Sequence, residues 1–293
     1  MRMGFRLLGL LLAAGSAVGA ESAAYRIEID KWRTEREARL TADGGWLTVT
    51  GLFWLKDGPN RMGSAPDADL VLPGSVPARV GVLDFRGGQT AVMLDPGVTA
   101  TVEGKPVVKG QVLAPDSKDV LSLGRVTLQV IKRQDRVGVR MKDLDSKARR
   151  QFKGLRFFPV KESYRITARW VAHASPRPLP ILNVLGQVNE LPSPGHAEFR
   201  LNGKSLRLAP VIEEPGDQEL FFIFRDQTSA KETYGAGRFL YAAMPKDGVI
   251  VLDFNKAYSP PCAFTAFATC PLPPKENRLP VRIEAGELAP PGH

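Results

Sequence analysis

The chain has 293 residues, 43% of them hydrophobic, with 40 lysines and arginines against 31 acids and a formal net charge of +9. That composition excludes a disordered or fibrous chain, and the length allows two units of ordinary size. Two cysteines are too few for a disulfide-rich scaffold, and basic charge without interleaved aromatic platforms argues against nucleic acid as a partner.

Residues 1–20 read as an export signal. Arg2 and Arg6 form a positive end, residues 7–14 an apolar core, and Val18-Gly19-Ala20 a small-residue cleavage site. The apolar run is shorter than the about 20 residues that span a bilayer. The expectation is a cleaved signal, a periplasmic or extracellular product, and no membrane span after cleavage. Cleavage lowers the net charge to +7, because the segment carries two arginines and no acid.

Residues 21–45 are predicted as a helix. Tyr25, Ile29, Trp32 and Leu40 recur at multiples of three to four between charged residues, and Gly44-Gly45 ends the pattern. Such a helix is marginal alone, and it is expected to pack on the unit that follows.

From Trp46 the text changes to short apolar runs separated by Gly, Pro and Asp. Runs at 46–55, 70–72, 80–85, 91–94, 99–102, 120–123 and 126–132 predict a β-sandwich over 46–141. The polar stretch 142–155 holds Lys147, Arg149, Arg150 and Lys153, and it reads as a solvated basic linker. A second series over 156–293 predicts an antiparallel β domain, sandwich or barrel. Its runs lie at 164–171, 197–201, 206–211, 220–224, 239–243 and 249–254, with Asn202-Gly203 as a hairpin turn. The fold class is therefore all-β with an N-terminal helix.

Within the first series, Arg61-Met62-Gly63-Ser64 precedes Asp67-Ala68-Asp69-Leu70-Val71-Leu72, and Val102-Glu103-Gly104 precedes a closing pair of apolar runs. In this order of features residues 52–133 resemble a degenerate forkhead-associated domain, an eleven-stranded β-sandwich that reads phosphothreonine. The resemblance implies the scaffold and not the activity. Ser64 stands where the phosphate-gripping Arg is expected, Ser75 has no His near it, and Glu103 replaces an Asn and would repel a phosphate.

The most specific text is Asp253-Phe254-Asn255-Lys256-Ala257-Tyr258-Ser259-Pro260-Pro261-Cys262, followed by Ala268-Thr269-Cys270-Pro271-Leu272-Pro273-Pro274 and Asn277-Arg278-Leu279. With Gly51-Leu52-Phe53-Trp54-Leu55, it resembles a family of exported bacterial proteins catalogued only as a domain of unknown function, which implies no activity. Cys262 and Cys270 are the only cysteines, and in an oxidising compartment a disulfide is the expectation. It would contribute about 2–3 kcal/mol, provided the intervening segment doubles back, since a straight strand would hold the pair roughly 26 Å apart.

Asp226, Thr228, Tyr234, Arg238, Asp253, Asn255, Tyr258 and Arg278 fall at strand ends or in loops and are the ligand-binding candidates. If the neighbouring strands pair, they converge at one rim, where Arg238 or Arg278 would hold an anion and Tyr234 and Tyr258 would line a cavity. The competing reading is structural: Asp226 and Thr228 cap a turn, and Arg238 forms a bridge to Asp253 or Glu284. A zinc site wants two more ligands than the cysteines supply. His173 and His196 lie among Pro and Gly and read as exposed loop residues. No nucleophile elbow, P-loop or dinucleotide fingerprint is present, so no catalytic residue, metal or cofactor is assigned and the balance leans away from an enzyme. Three functions stand: a binding or interaction module of the cell envelope, a small-ligand-binding or hydrolytic protein with its site in the second β unit, and a structural envelope component. No partner is identified by the sequence; an envelope protein or a small anionic ligand is the expectation.

Overall fold

The computed structural model describes residues 14–291, with side chains from residue 23 onward. The export signal expected at 1–20 lies outside the described residues, apart from the helical backbone that begins at Ala14.

Helix α1 spans Ala14–Thr41. Eleven strands follow: β1 Val49–Trp54, β2 Gly58–Gly63, β3 Leu70–Val71, β4 Gly81–Arg86, β5 Gln89–Leu94, β6 Thr101–Val102, β7 Lys105–Pro106, β8 Gln111–Leu113, β9 Val120–Leu123, β10 Val126–Arg133 and β11 Arg136–Asp143. They form a six-stranded sheet, β1-β11-β10-β9-β6-β7, and a five-stranded sheet, β3-β2-β4-β5-β8. Met62, Leu83, Val92 and Leu113 of one sheet meet Leu121, Leu128, Val139 and Met141 of the other in a single core. The period-2 alternation that predicts these strands is what supplies that inner face.

After the short helix α2, Lys147–Gln151, come β12 Arg165–Leu182, β13 Val188–Leu201, β14 Lys204–Leu208, β15 Glu219–Phe224, β16 Arg238–Ala243 and β17 Val249–Asp253. One antiparallel sheet runs β14-β13-β12-β17, and β15-β16 form a two-stranded ribbon against it. The expected Asn202-Gly203 turn joins β13 and β14 with φ of 50° and 76°, the left-handed pair that a type I′ turn requires. Strand β15 is buried on both faces, which explains its unbroken apolar run. Leu220, Phe222 and Phe224 enter one core with Phe199, Leu240, Leu252 and Phe254. Phe221 and Ile223 enter a second with Leu179, Ile181 and Phe239.

The architecture is mostly β, as expected, but among the described residues no sheet closes into a barrel. Two other findings differ from expectation. His173 and His196 are expected as exposed residues of Pro- and Gly-rich loops, yet β12 and β13 form a long hairpin that carries both and pairs Pro178 with Pro192 and Pro180 with Glu190. Strand β17 pairs only with residues 165–169 of β12. Between the Trp170 amide, which donates to the Gly248 carbonyl, and the Leu182 carbonyl, which accepts from Leu272, no strand pairs with that edge of β12 among the described residues, so a missing N–H there costs no ladder bond. The second finding concerns α1, which meets residues 46–48 at the start of the sandwich and also docks on the C-terminal sheet. Its Tyr25 hydroxyl donates to Asp253 Oδ1 at 2.8 Å, its Arg36 pairs with Glu287 at 3.2 Å, and Glu28 accepts from Lys256 at 2.5 Å.

Candidate functional site

The docking face of α1 is the stripe Tyr25, Ile29, Trp32, Arg36 and Leu40, at spacings of four, three, four and four residues. Four of the five are buried, and Trp32 is half-buried. A cation in the middle of an apolar stripe has to find an anion. Arg36 Nε donates to Glu287 Oε2 at 3.2 Å, its Nη2 donates to the Ser259 carbonyl at 3.0 Å, and its guanidinium lies 4.6 Å over the Tyr258 ring. Burial pushes the Glu287 carboxyl up, against the pull of Arg36.

Where α1 crosses the sheet it leaves a cleft of about 580 Å³, walled by Trp32, Arg36 and Arg39 on the helix and by Arg165, Tyr241, Val251, Asp253, Lys256 and Tyr258 on the β side. The Tyr258 ring stacks 6.5 Å from Tyr241 and lies 6.3 Å from Trp32. Burial holds the Tyr258 hydroxyl at about 12, against the lowering influence of Arg36, so both tyrosines enter as neutral rings. The Tyr241 hydroxyl donates to Glu213. Asp253 sits at the end of β17 with Oδ1 accepting from Tyr25 Oη and from the Asn255 amide at 3.1 Å. Asn255 in turn donates through Nδ2 to Tyr25 Oη and to the Lys161 carbonyl, both at 2.9 Å. The second carboxylate oxygen, Oδ2, is buried without a hydrogen-bond partner, and Lys256 Nζ stands 3.9 Å from it. Arg165 is exposed at the rim and makes no ion pair among the described residues; its guanidinium lies 5.2 Å over the Tyr25 ring.

The eight candidates divide three ways. Asp253, Asn255 and Tyr258 belong to the cleft or its supporting network. Asp226, Thr228 and Arg238 do not. Arg238 Nη2 donates to Asp226 Oδ1 at 3.1 Å, and both side chains are fully buried. Thr228 Oγ1 donates to the same carboxylate at 2.9 Å, and Arg238 also donates to the carbonyls of Ile283 and Ala285. This cluster ties β16 to the C-terminal tail, with Asp226 as the partner where Asp253 or Glu284 is expected. Tyr234 donates to the Cys262 carbonyl at 3.1 Å, away from the cleft. Arg278 is exposed beside Arg225, with which it forms a backbone bridge. Sequence reasoning missed Arg36, Arg39, Arg165, Tyr241, Lys256 and Glu287. The readable signal for Arg36 was its place in the helical stripe.

The expected disulfide is absent: Cys262 and Cys270 are free thiols. The segment between them does double back, so that the Cys262 amide donates to Cys270 Sγ at 3.2 Å. A hydrogen bond from Cys270, helped by Tyr234, lowers the Cys262 thiol to about 7, and donating that bond pushes the Cys270 thiol up. The lowered value means that ionised Cys262 stabilises the fold at high pH and that this contribution is lost as pH falls through about 7. Alkylation of the native chain should accordingly modify Cys262 half-maximally near pH 7, with Cys270 following only on unfolding. Peptide mass spectrometry reads the two sites separately, and equal labelling of both would contradict the arrangement.

His173 and His196 are strand residues, not loop residues. Their rings lie 5.9 Å apart on β12 and β13 and line a pocket of about 280 Å³. His173 Nδ1 contacts the Ser193 carbonyl and His196 Nε2 contacts Glu198 Oε1, each at 3.2 Å. Among the described residues no group of three or more His, Cys, Asp or Glu is placed to hold a metal ion.

Residues 150–288 match a family described as a protein of unknown function, DUF1684. That span contains β12 to β17, Asp253, Tyr258, Glu287 and both cysteines, and it leaves out α1 and the sandwich. An uncharacterised protein of Haloarcula marismortui, solved by solution NMR, is 32% identical over 50% of this chain and 81% of its own, with a TM-score of 0.42. No curated protein matches the chain.

Proposed function

We propose that the chain is a binding protein whose cleft between α1 and the C-terminal sheet takes a small anionic ligand carrying a hydroxyl or ammonium donor. The observation that carries this reading is a cleft that presents the ion-pair-free Arg165 across the strand pair from Asp253, whose buried Oδ2 accepts no hydrogen bond and has only Lys256 Nζ at 3.9 Å. A buried acceptor that makes no hydrogen bond is costly, and a ligand donor would supply the one that Lys256 does not. Arg165 supplies the anion contact, and Trp32, Tyr241 and Tyr258 supply flat apolar surface. The cleft favours this function over a purely structural one.

The same reading treats 46–141 and 156–293 as two β units joined by 142–155. The eleven strands in sheets of six and five support a forkhead-associated-like scaffold for the first unit. It treats the chain as exported to the cell envelope, and cleavage after Ala20 would leave the whole docking stripe of α1 in place.

Titration of the full chain with hydroxylated anions such as sugar phosphates and hydroxy acids, followed by calorimetry, tests the proposal. Arg165→Ala is expected to weaken a binding anion about tenfold to a hundredfold, the worth of one charge-assisted hydrogen bond. The exposed position of Arg165 leaves the fold intact. Failure of every anion to bind, or binding indifferent to Arg165, would rule the cleft out.

A further inference from the structure

On the β14-β13-β12-β17 sheet, Ala168, Phe199, Leu208 and Ile250 turn into the core. The residues that alternate to the opposite face are mostly cationic. Antiparallel register sets Val249, Arg169, Glu198 and Arg207 side by side in one row across the four strands. Arg200 stands two residues further along β13, beside Ser205, and Arg165 lies on the same face at the start of β12, beside Asp253. All four arginines are exposed, Arg169 and Arg207 by 69% and 71% of their side chains.

These cations are not matched by acids of the chain. Glu198 is shared by Arg169, Arg207 and His196, with Arg207 Nη2 at 2.9 Å. Arg200 donates only to the Gly203 carbonyl. Asp253, opposite Arg165, has Lys256 Nζ at 3.9 Å. Four arginines and Lys256 against Glu198 and Asp253 leave three positive charges over on one open face. Such a field draws an external anion. Arg169, Arg200 and Arg207 border a shallow depression of about 510 Å³, where planar guanidiniums can grip phosphate. Trp170 and Phe199, the only Trp, Tyr or Phe in these strands, both pack into the core, so the face offers no ring on which a nucleic-acid base could stack. It offers aliphatic side chains instead. Val249 and Val251 are 42% and 43% exposed, beside Arg169 and Thr167. Cations set beside exposed aliphatics match a layer of anionic headgroups with acyl chains beneath.

We propose that this face of the C-terminal sheet docks on an anionic phospholipid surface, with Arg169, Arg200 and Arg207 taking headgroup phosphates and Val249 and Val251 meeting the acyl boundary. Each arginine adds about fivefold to the affinity for such a surface, and the attraction fades within a Debye length, so salt releases it. None of the three arginines lines the cleft under α1, and the surface does not depend on the ligand proposed there. In the other dense basic stretch, at 147–153, Arg149 is met by Asp43 and Arg150 by Asp145.

The test is co-sedimentation of the full chain with phosphatidylcholine vesicles containing about one-third phosphatidylglycerol, against vesicles of phosphatidylcholine alone. Binding is expected to the first and not to the second, and it should be lost at high salt. Arg200→Gln, which breaks no ion pair, should weaken it about fivefold, and Arg169→Gln added to it about tenfold or more in all. Circular dichroism should show the native fold in both variants, since the two side chains are exposed. Lys147→Gln with Lys153→Gln should leave binding unchanged. Absence of binding to the anionic vesicles, indifference to the two arginines, or loss in the lysine variant alone would overturn the proposal. Capture by a soluble polyanion such as polygalacturonate, without capture by the vesicles, would overturn it equally.

Discussion

Replacing Arg36 with methionine should destabilise the chain by about 3–5 kcal/mol, the usual cost of stripping one partner from a buried ion pair. Methionine matches the length of the stem and keeps the apolar stripe of α1, so the loss reports the charge. What remains is Glu287, fully buried, facing the Tyr258 and Phe264 rings that Arg36 covered. Burial already raises this carboxyl in the intact chain, and losing its cation raises it further. A carboxyl with a raised folded-state pKa stabilises the fold below its unfolded value, and that contribution is lost as pH rises through the folded value. The deficit in Arg36→Met should therefore be small in acid and grow with rising pH. Urea unfolding at acidic and at neutral pH measures both. Adding Glu287→Leu should recover most of the loss, because the pair is then replaced by apolar groups. A deficit that did not change with pH would mean that the charge is not what holds the helix.

An effect of similar size is expected at Arg238. Its guanidinium joins Asp226 to the carbonyls of Ile283 and Ala285, while Asp226 Oδ2 accepts from the Ile283 amide at 2.7 Å. Arg238→Ala leaves a buried carboxylate and two carbonyls without their donor, a loss of about 3–5 kcal/mol. Lysine should not rescue it, since a single ammonium cannot reproduce a planar fork with three acceptors. Far-ultraviolet circular dichroism during denaturant titration reads the outcome. If Arg238→Lys kept the native midpoint, the fork geometry would be irrelevant and the cluster would be open to a binding role after all.

These two pairs show how far the sequence could be read. The strands were legible because inward residues alternate, as in β4, or run unbroken where both faces are buried, as in β15. The Asn202-Gly203 hairpin was legible because its two residues tolerate positive φ. The long β12–β13 hairpin was hidden by prolines, which read as loop until the pairing shows that they lie on a strand with a free edge. The docking of α1 was hidden for a different reason. Periodicity identifies a buried face and does not say against what; only the pairing of Arg36 with Glu287, 251 residues apart, settles that.

The candidate site was half legible for the same reason. Asp253, Asn255 and Tyr258 stand in the most distinctive text of the chain, but their neighbours Trp32, Arg36 and Arg39 come from a helix more than 200 residues away. Asp226 and Arg238 had the right chemistry for a site and proved to be each other's partner. Burial made that decision, and burial is not printed in residue identity.

The central claim is that α1 belongs to the C-terminal sheet and completes the cleft there. Zero-length carbodiimide cross-linking of the native chain, read by peptide mass spectrometry, tests it directly. Glu28 and Lys256, 2.5 Å apart across the junction, should join in an amide bond that Lys256→Arg abolishes. Cross-links from Glu28 to lysines of the sandwich, with none to Lys256, would contradict it.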